Sequence, residues 1–132
     1  MSTSADTWYD RFGGEPFFTR LVAGFYERVA VDDILRPMYP QDDLAGAERR
    51  LRLFLMQYWG GPTTYGDERG HPRLRMRHAP FPVDLEARDR WLALMHASLE
   101  DNGGELDPDS RDELWRYLES AANAMMNVNP AL

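Results

Sequence analysis

The sequence predicts an all-α fold in a single domain. Apolar residues recur at helical spacing in several stretches, most clearly Leu44, Ala47, Leu51, Phe54, Leu55 and Tyr58. No stretch alternates apolar and polar residues as a half-buried strand does. Acidic caps, prolines and glycines punctuate the periodic stretches at intervals of helix length. A chain of 132 residues suits one domain, spanning 1–132, that buries roughly two-thirds of its unfolded surface.

Composition narrows the classes of function. Hydrophobic residues make up 43% and aromatics 12%, enough for a core and too much for a disordered chain. The chain has no cysteine, which excludes disulfides, thiolate ligation of iron and thioether attachment of haem. A net charge of −7 works against general nucleic-acid binding, which rests on many cationic contacts to phosphate. Met1 to Asp6 lack the basic and apolar regions of a secretory signal, and no apolar run has the length of a membrane span. A cytoplasmic protein with no membrane partner is expected, with residues 1–6 as a flexible N-terminal extension. Self-association into a homo-oligomer stays open, because periodicity does not reveal exposed apolar area.

Trp8 and Phe12, four apart, face inward from a short leading helix that stops at Gly13-Gly14. Pro16 suits the first turn of the next helix, whose stripe is Phe18, Val22, Phe25 and Val29. Tyr26 lies on the shoulder of that stripe and fits a core tyrosine as well as a site residue. Asp32 to Arg36 suggest a short acid-capped turn interrupted by Pro37, and Met38-Tyr39-Pro40 suggest a bend. Asp42 or Asp43 caps the third helix, with Glu48, Arg49, Arg50 and Arg52 opposite its apolar face and Gly60-Gly61-Pro62 as its stop. Ala47 is the small member of that face, suited to close packing or to leaving room for a ligand.

Residues 62–71 show no apolar period and are expected to be a loop. Beyond it, Pro72 and Pro80 confine a short helix of about two turns. Asp84 caps a helix with Leu85, the Arg88 stem, Trp91, Leu92, Met95 and Leu99, ended by Asn102-Gly103-Gly104. Asp107-Pro108 opens the last, carrying Leu114, Trp115, Leu118, Ala121, Ala122 and Met125 until Asn129-Pro130.

The chain has 3 histidines, and their surroundings differ. His71 precedes a proline and has no partner at the four-residue spacing of zinc helices. His96 points away from Trp91 on its own helix. His78 ends the proline-bounded helix among Arg73, Arg75, Arg77, Leu74, Met76 and Phe81. A helix this short needs something to hold it. Haem offers a metal for His78, carboxylates for the arginines and an apolar body for Leu74, Met76 and Phe81. A solvated basic patch is the other reading of the arginines.

Phe25-Tyr26, Tyr39-Pro40, Asp42-Asp43-Leu44-Ala45-Gly46-Ala47, Tyr58-Trp59-Gly60-Gly61-Pro62, the run from Gly70 to Phe81, and Trp91 resemble, in order and spacing, the group II truncated haemoglobins of actinobacteria. The resemblance runs from about Gly13 to the last helix. It implies a truncated globin, a two-over-two helical sandwich around non-covalently bound haem b. By it, His78 matches the proximal iron ligand, and Tyr26, Tyr39 and Trp91 match the polar residues around the distal ligand. Ala47 and Leu51 match pocket positions, and Phe54 and Leu55 their apolar neighbours. Arg75 and Arg77 are the expected propionate partners.

The implied function is reversible binding of oxygen and other diatomic ligands with tight retention. Redox chemistry on bound oxygen, directed at nitric oxide or peroxide, is a further expectation and needs a separate reductase. The alternatives are a haem-based sensor acting through a separate partner, an oxygen storage or transport protein, and a haem-free helical interaction protein.

Overall fold

The computed structural model describes residues 7–39 and 42–127. The expected N-terminal extension, the bend at Pro40 and the Asn129-Pro130 stop lie outside these. Seven α-helices form among the described residues, and no strand does. They are α1 (Trp8–Phe12), α2 (Gly14–Val29), α3 (Leu44–Tyr58), α4 (Thr64–Arg69), α5 (Leu74–His78), α6 (Leu85–Asn102) and α7 (Pro108–Met125). A 3₁₀ turn spans Arg36–Met38. No described helix is long and apolar enough to cross a membrane.

Helices α2 and α3 pack as one pair and α6 and α7 as the other, with α2 against α6 joining them. This is the two-over-two arrangement expected. The stripe of α2 is its centre: Phe18, Val22, Phe25 and Val29 are fully buried. Each such side chain contributes about 1.5–3 kcal/mol through burial. The approach of α6 depends on Gly24, where an added Cβ would lie 2.5 Å from Ser98 Oγ. That hydroxyl is buried and donates to the Leu21 carbonyl at 2.6 Å, tying the two helices.

Caps behave largely as their residue types dictate. Asp84 accepts from the Ala87 N–H at 2.8 Å and Asp107 from the Ser110 N–H at 2.7 Å. Asp43 occupies the N-cap of α3 without a capping bond, and its carboxylate pairs with Arg50 at 3.3 Å instead.

Several expectations are corrected. The loop expected over 62–71 contains α4, whose one buried apolar residue, Tyr65, leaves no period to read. Tertiary contacts make it: Tyr65 packs edge-on to Phe54, Gln57 Oε1 accepts the Gly66 N–H at 2.7 Å, and Arg49 grips Glu68 through two bonds. The short helix has little more than one turn, because Arg73 at its N-cap is left-handed, with φ 46°. His71 Nδ1 accepts the Arg73 N–H at 3.1 Å. Ala79 is helical despite the following Pro80, with φ −54° and ψ −36°. Pro37 is the second residue of the 3₁₀ turn, where no N–H is needed, and does not interrupt it. Tyr58 is 51% exposed and stacks on Tyr117, and Leu85 is 42% exposed, while Leu53 and Met56 widen the buried face of α3.

Beyond α7, Asn127 reaches back to the segment after α5. Its Nδ2 donates to the His78 carbonyl at 3.2 Å and the Phe81 carbonyl at 2.8 Å, and its Oδ1 accepts the Val83 N–H at 2.8 Å.

Candidate functional site

Helix α2, the turn before α3 and helix α6 bring Tyr26, Tyr39 and Trp91 together. The rings of Tyr26 and Tyr39 meet edge-on at 5.4 Å, and Phe25 bridges the pair to Trp91, 4.9 Å from Tyr26 and 5.2 Å from Trp91. Tyr26 and Trp91 both lie close enough to Tyr39 to influence its hydroxyl, and an indole N–H can only donate.

Burial is the main cause that raises the pKa of Tyr26, and the nearby Tyr39 adds to it. Burial raises Tyr39 too, against the opposing influence of Tyr26 and Trp91 beside it. Both hydroxyls stay protonated and can donate.

The inner face of α3 presents Ala47, 6% exposed, and half-buried Leu51, one turn apart. Leu55 is fully within the core and Phe54 packs against it. Phe54, Arg75 and Met76 line an open groove between α3, α5 and α7, together with Leu74 and Tyr117. Ala47, Leu51, Leu55 and His78 do not line that groove. Tyr117 was not singled out from the sequence, although its place three residues after Leu114 puts it on the same face of α7.

His78 is half-buried at the end of α5, and α5 packs on α7. Its Nδ1 lies 2.7 Å from the Leu74 carbonyl oxygen. A carbonyl only accepts, so Nδ1 carries the proton and the lone pair of the neutral ring is on Nε2. Among the described residues no three His, Cys, Asp or Glu side chains group to hold a bare ion. One fixed imidazole fits a metal whose other positions are filled by a macrocycle, as in haem.

The expected propionate partners have protein acceptors. Arg75 donates to the Ala124 carbonyl, and Arg77 to those of Pro72 at 2.7 Å and Arg69 at 3.3 Å. Met76 is 60% exposed and Phe81 40%, so an apolar surface flanks His78 in sequence.

The pattern of the Bacterial-like globin family matches residues 7–127. The chain is 42% identical over 131 residues to the group 2 truncated haemoglobin YjbI of Bacillus subtilis, covering 99% of this chain and 96% of that one. The thermostable haemoglobin of the actinobacterium Thermobifida fusca superposes with a TM-score of 0.88 at 58% identity, over 92% of this chain and 98% of that one. A truncated oxygen-avid haemoglobin from Bacillus subtilis does so with a TM-score of 0.85 at 41% identity, over 92% and 100%. With its paired helices and its clustered Tyr26, Tyr39 and Trp91, the chain belongs to the bacterial-like globins as a group II truncated haemoglobin.

Proposed function

We propose that this chain holds haem b non-covalently through His78 Nε2 and binds oxygen reversibly, retaining it through a hydrogen bond from Tyr39. Haem supplies an iron with an open position for a diatomic ligand. The protein supplies orientation and charge stabilisation. The Leu74 carbonyl holds the His78 ring in one tautomer. Tyr39, with Tyr26 and Trp91 beside it, offers a protonated hydroxyl that can donate to a ligand.

The observation that carries this reading is the convergence of Tyr26, Tyr39 and Trp91, whose hydroxyls and indole N–H are all potential donors. Neutral donors suit a ligand that gathers negative charge. A hydrogen bond of about 1.5–3 kcal/mol slows release roughly ten- to a hundredfold. The Bacillus subtilis relative described as oxygen-avid supports the same expectation.

Tight retention suits oxidative chemistry against nitric oxide or peroxide better than rapid delivery, with electrons from a separate reductase. Stopped-flow oxygen release from the reduced protein tests the main reading. Slow release that Tyr39→Phe speeds tenfold or more supports it; release as fast from the wild type as from that variant refutes it.

A further inference from the structure

Helix α6 carries Arg90 immediately before Trp91, and Arg90 reaches back to the turn that carries Tyr39. Its Nη1 lies 2.5 Å from Asp32 Oδ1, and the Asp32 side chain is 6% exposed. The second oxygen of Asp32 accepts the N–H of Ile34 at 3.0 Å and of Leu35 at 2.8 Å. From there the backbone bonds continue without a gap. The Arg36 N–H donates to the Asp32 carbonyl at 3.1 Å, the Met38 N–H to Leu35 at 2.9 Å and the Tyr39 N–H to Arg36 at 3.2 Å. The Tyr39 ring then meets Tyr26 edge-on at 5.4 Å, and Phe25 joins Tyr26 to Trp91. The contacts close a ring from Trp91 through Arg90, Asp32 and the turn to Tyr39.

We propose that Arg90 and Asp32 are positioning residues that set the place of the Tyr39 hydroxyl and so tune how tightly a diatomic ligand is held. This rests on the oxygen-binding reading above. Packing holds the turn only in part: Leu35 is buried and Ile34, Met38 and Tyr39 are partly buried against the core, while Ile34 and Arg90 border an open groove. A desolvated carboxylate that loses its cation is left uncompensated, so the turn must move to hydrate it. Asp33, 3.6 Å from Arg90 and 90% exposed, gives a screened contact that cannot substitute.

The test compares Arg90→Gln, Arg90→Lys, Asp32→Asn and the Asp32→Asn, Arg90→Gln double variant. The probe is carbon monoxide, read by its C–O stretching frequency, alongside oxygen release and the hydrogen exchange of the Met38 and Tyr39 amides in haem-free protein. Arg90→Gln should take up haem stoichiometrically, shift the stretch, release oxygen about threefold to tenfold faster and exchange those amides sooner. Arg90→Lys should restore the wild-type stretch, and the double variant should be no worse than the single ones. An unchanged stretch, release rate and exchange in Arg90→Gln, with only a lowered Tm, would overturn the proposal. If Arg90→Gln does not fold, Asp32→Asn carries the same test, since it keeps both oxygen-side acceptor and shape while removing the charge. A wild-type protein that takes up no haem would sink the oxygen-binding reading itself, while the amide exchange would still decide whether the pair fixes Tyr39.

Discussion

The Nδ1 of His78 and the carbonyl oxygen of Leu74, one turn earlier in α5, are 2.7 Å apart. This bond leaves a single nitrogen for a metal and aims it. His78→Gly should therefore abolish stoichiometric haem uptake, and added imidazole should restore a Soret band by filling the vacated space. Uptake by the variant without imidazole would remove His78 from the ligand role.

Tyr26, Tyr39 and Trp91 should contribute unequally to ligand retention. Tyr39→Phe removes the hydroxyl that can face a ligand and should speed oxygen release roughly ten- to a hundredfold. Tyr26→Phe and Trp91→Phe each leave the Tyr39 O–H in place, so each should have a smaller effect. Stopped-flow rates that rank Tyr26→Phe above Tyr39→Phe would reverse the donor order.

Ala47 is small and faces inward one turn before Leu51. Ala47→Leu should slow carbon monoxide binding after flash photolysis severalfold while leaving haem content intact. Unchanged binding would show that ligands arrive by another route.

Gly24→Ala places a methyl group 2.5 Å from a hydroxyl that is buried and already bonded to Leu21. Either that bond breaks or α6 moves off α2. A loss of about 1–3 kcal/mol is expected, seen as a Tm lower by several degrees in calorimetry.

Acid should act through Asp32. Burial alone would raise its pKa, but the Leu35 N–H, Arg90 and the Ile34 N–H hold it below the ordinary 3.8. A carboxyl whose pKa is depressed by folding stabilises the fold above the ordinary value, and that contribution is lost as pH falls through the folded value. Asp32→Asn should thus be less stable than the wild type at neutral pH and show a shallower loss of Tm below about pH 4. Parallel acid limbs in the two proteins would assign the acid sensitivity elsewhere.

The helices that bury an apolar stripe were legible because spacing alone defines them: Phe18, Val22, Phe25 and Val29 need no partner to be recognised. Helix α4 was hidden because its formation depends on Gln57, Arg49 and Phe54, all in another helix. The left-handed Arg73 was likewise unreadable, since His71 and not a glycine supports it. Tyr26, Tyr39 and Trp91 could be grouped by family likeness and by no local rule. Their contacts through Phe25 need three-dimensional placement. The Asp32–Arg90 pair, 58 residues apart, left no local pattern in the sequence.

Asn127 fastens the stretch from His78 to Val83 with three side-chain bonds. In a chain made from its N-terminus, that fastener is synthesised last among the described residues, long after the histidine it steadies. During translation the four large helices' worth of sequence can emerge with α5 still unanchored. A ribosome-stalled fragment ending before residue 127 would carry His78 without the side chain that fastens the stretch after it.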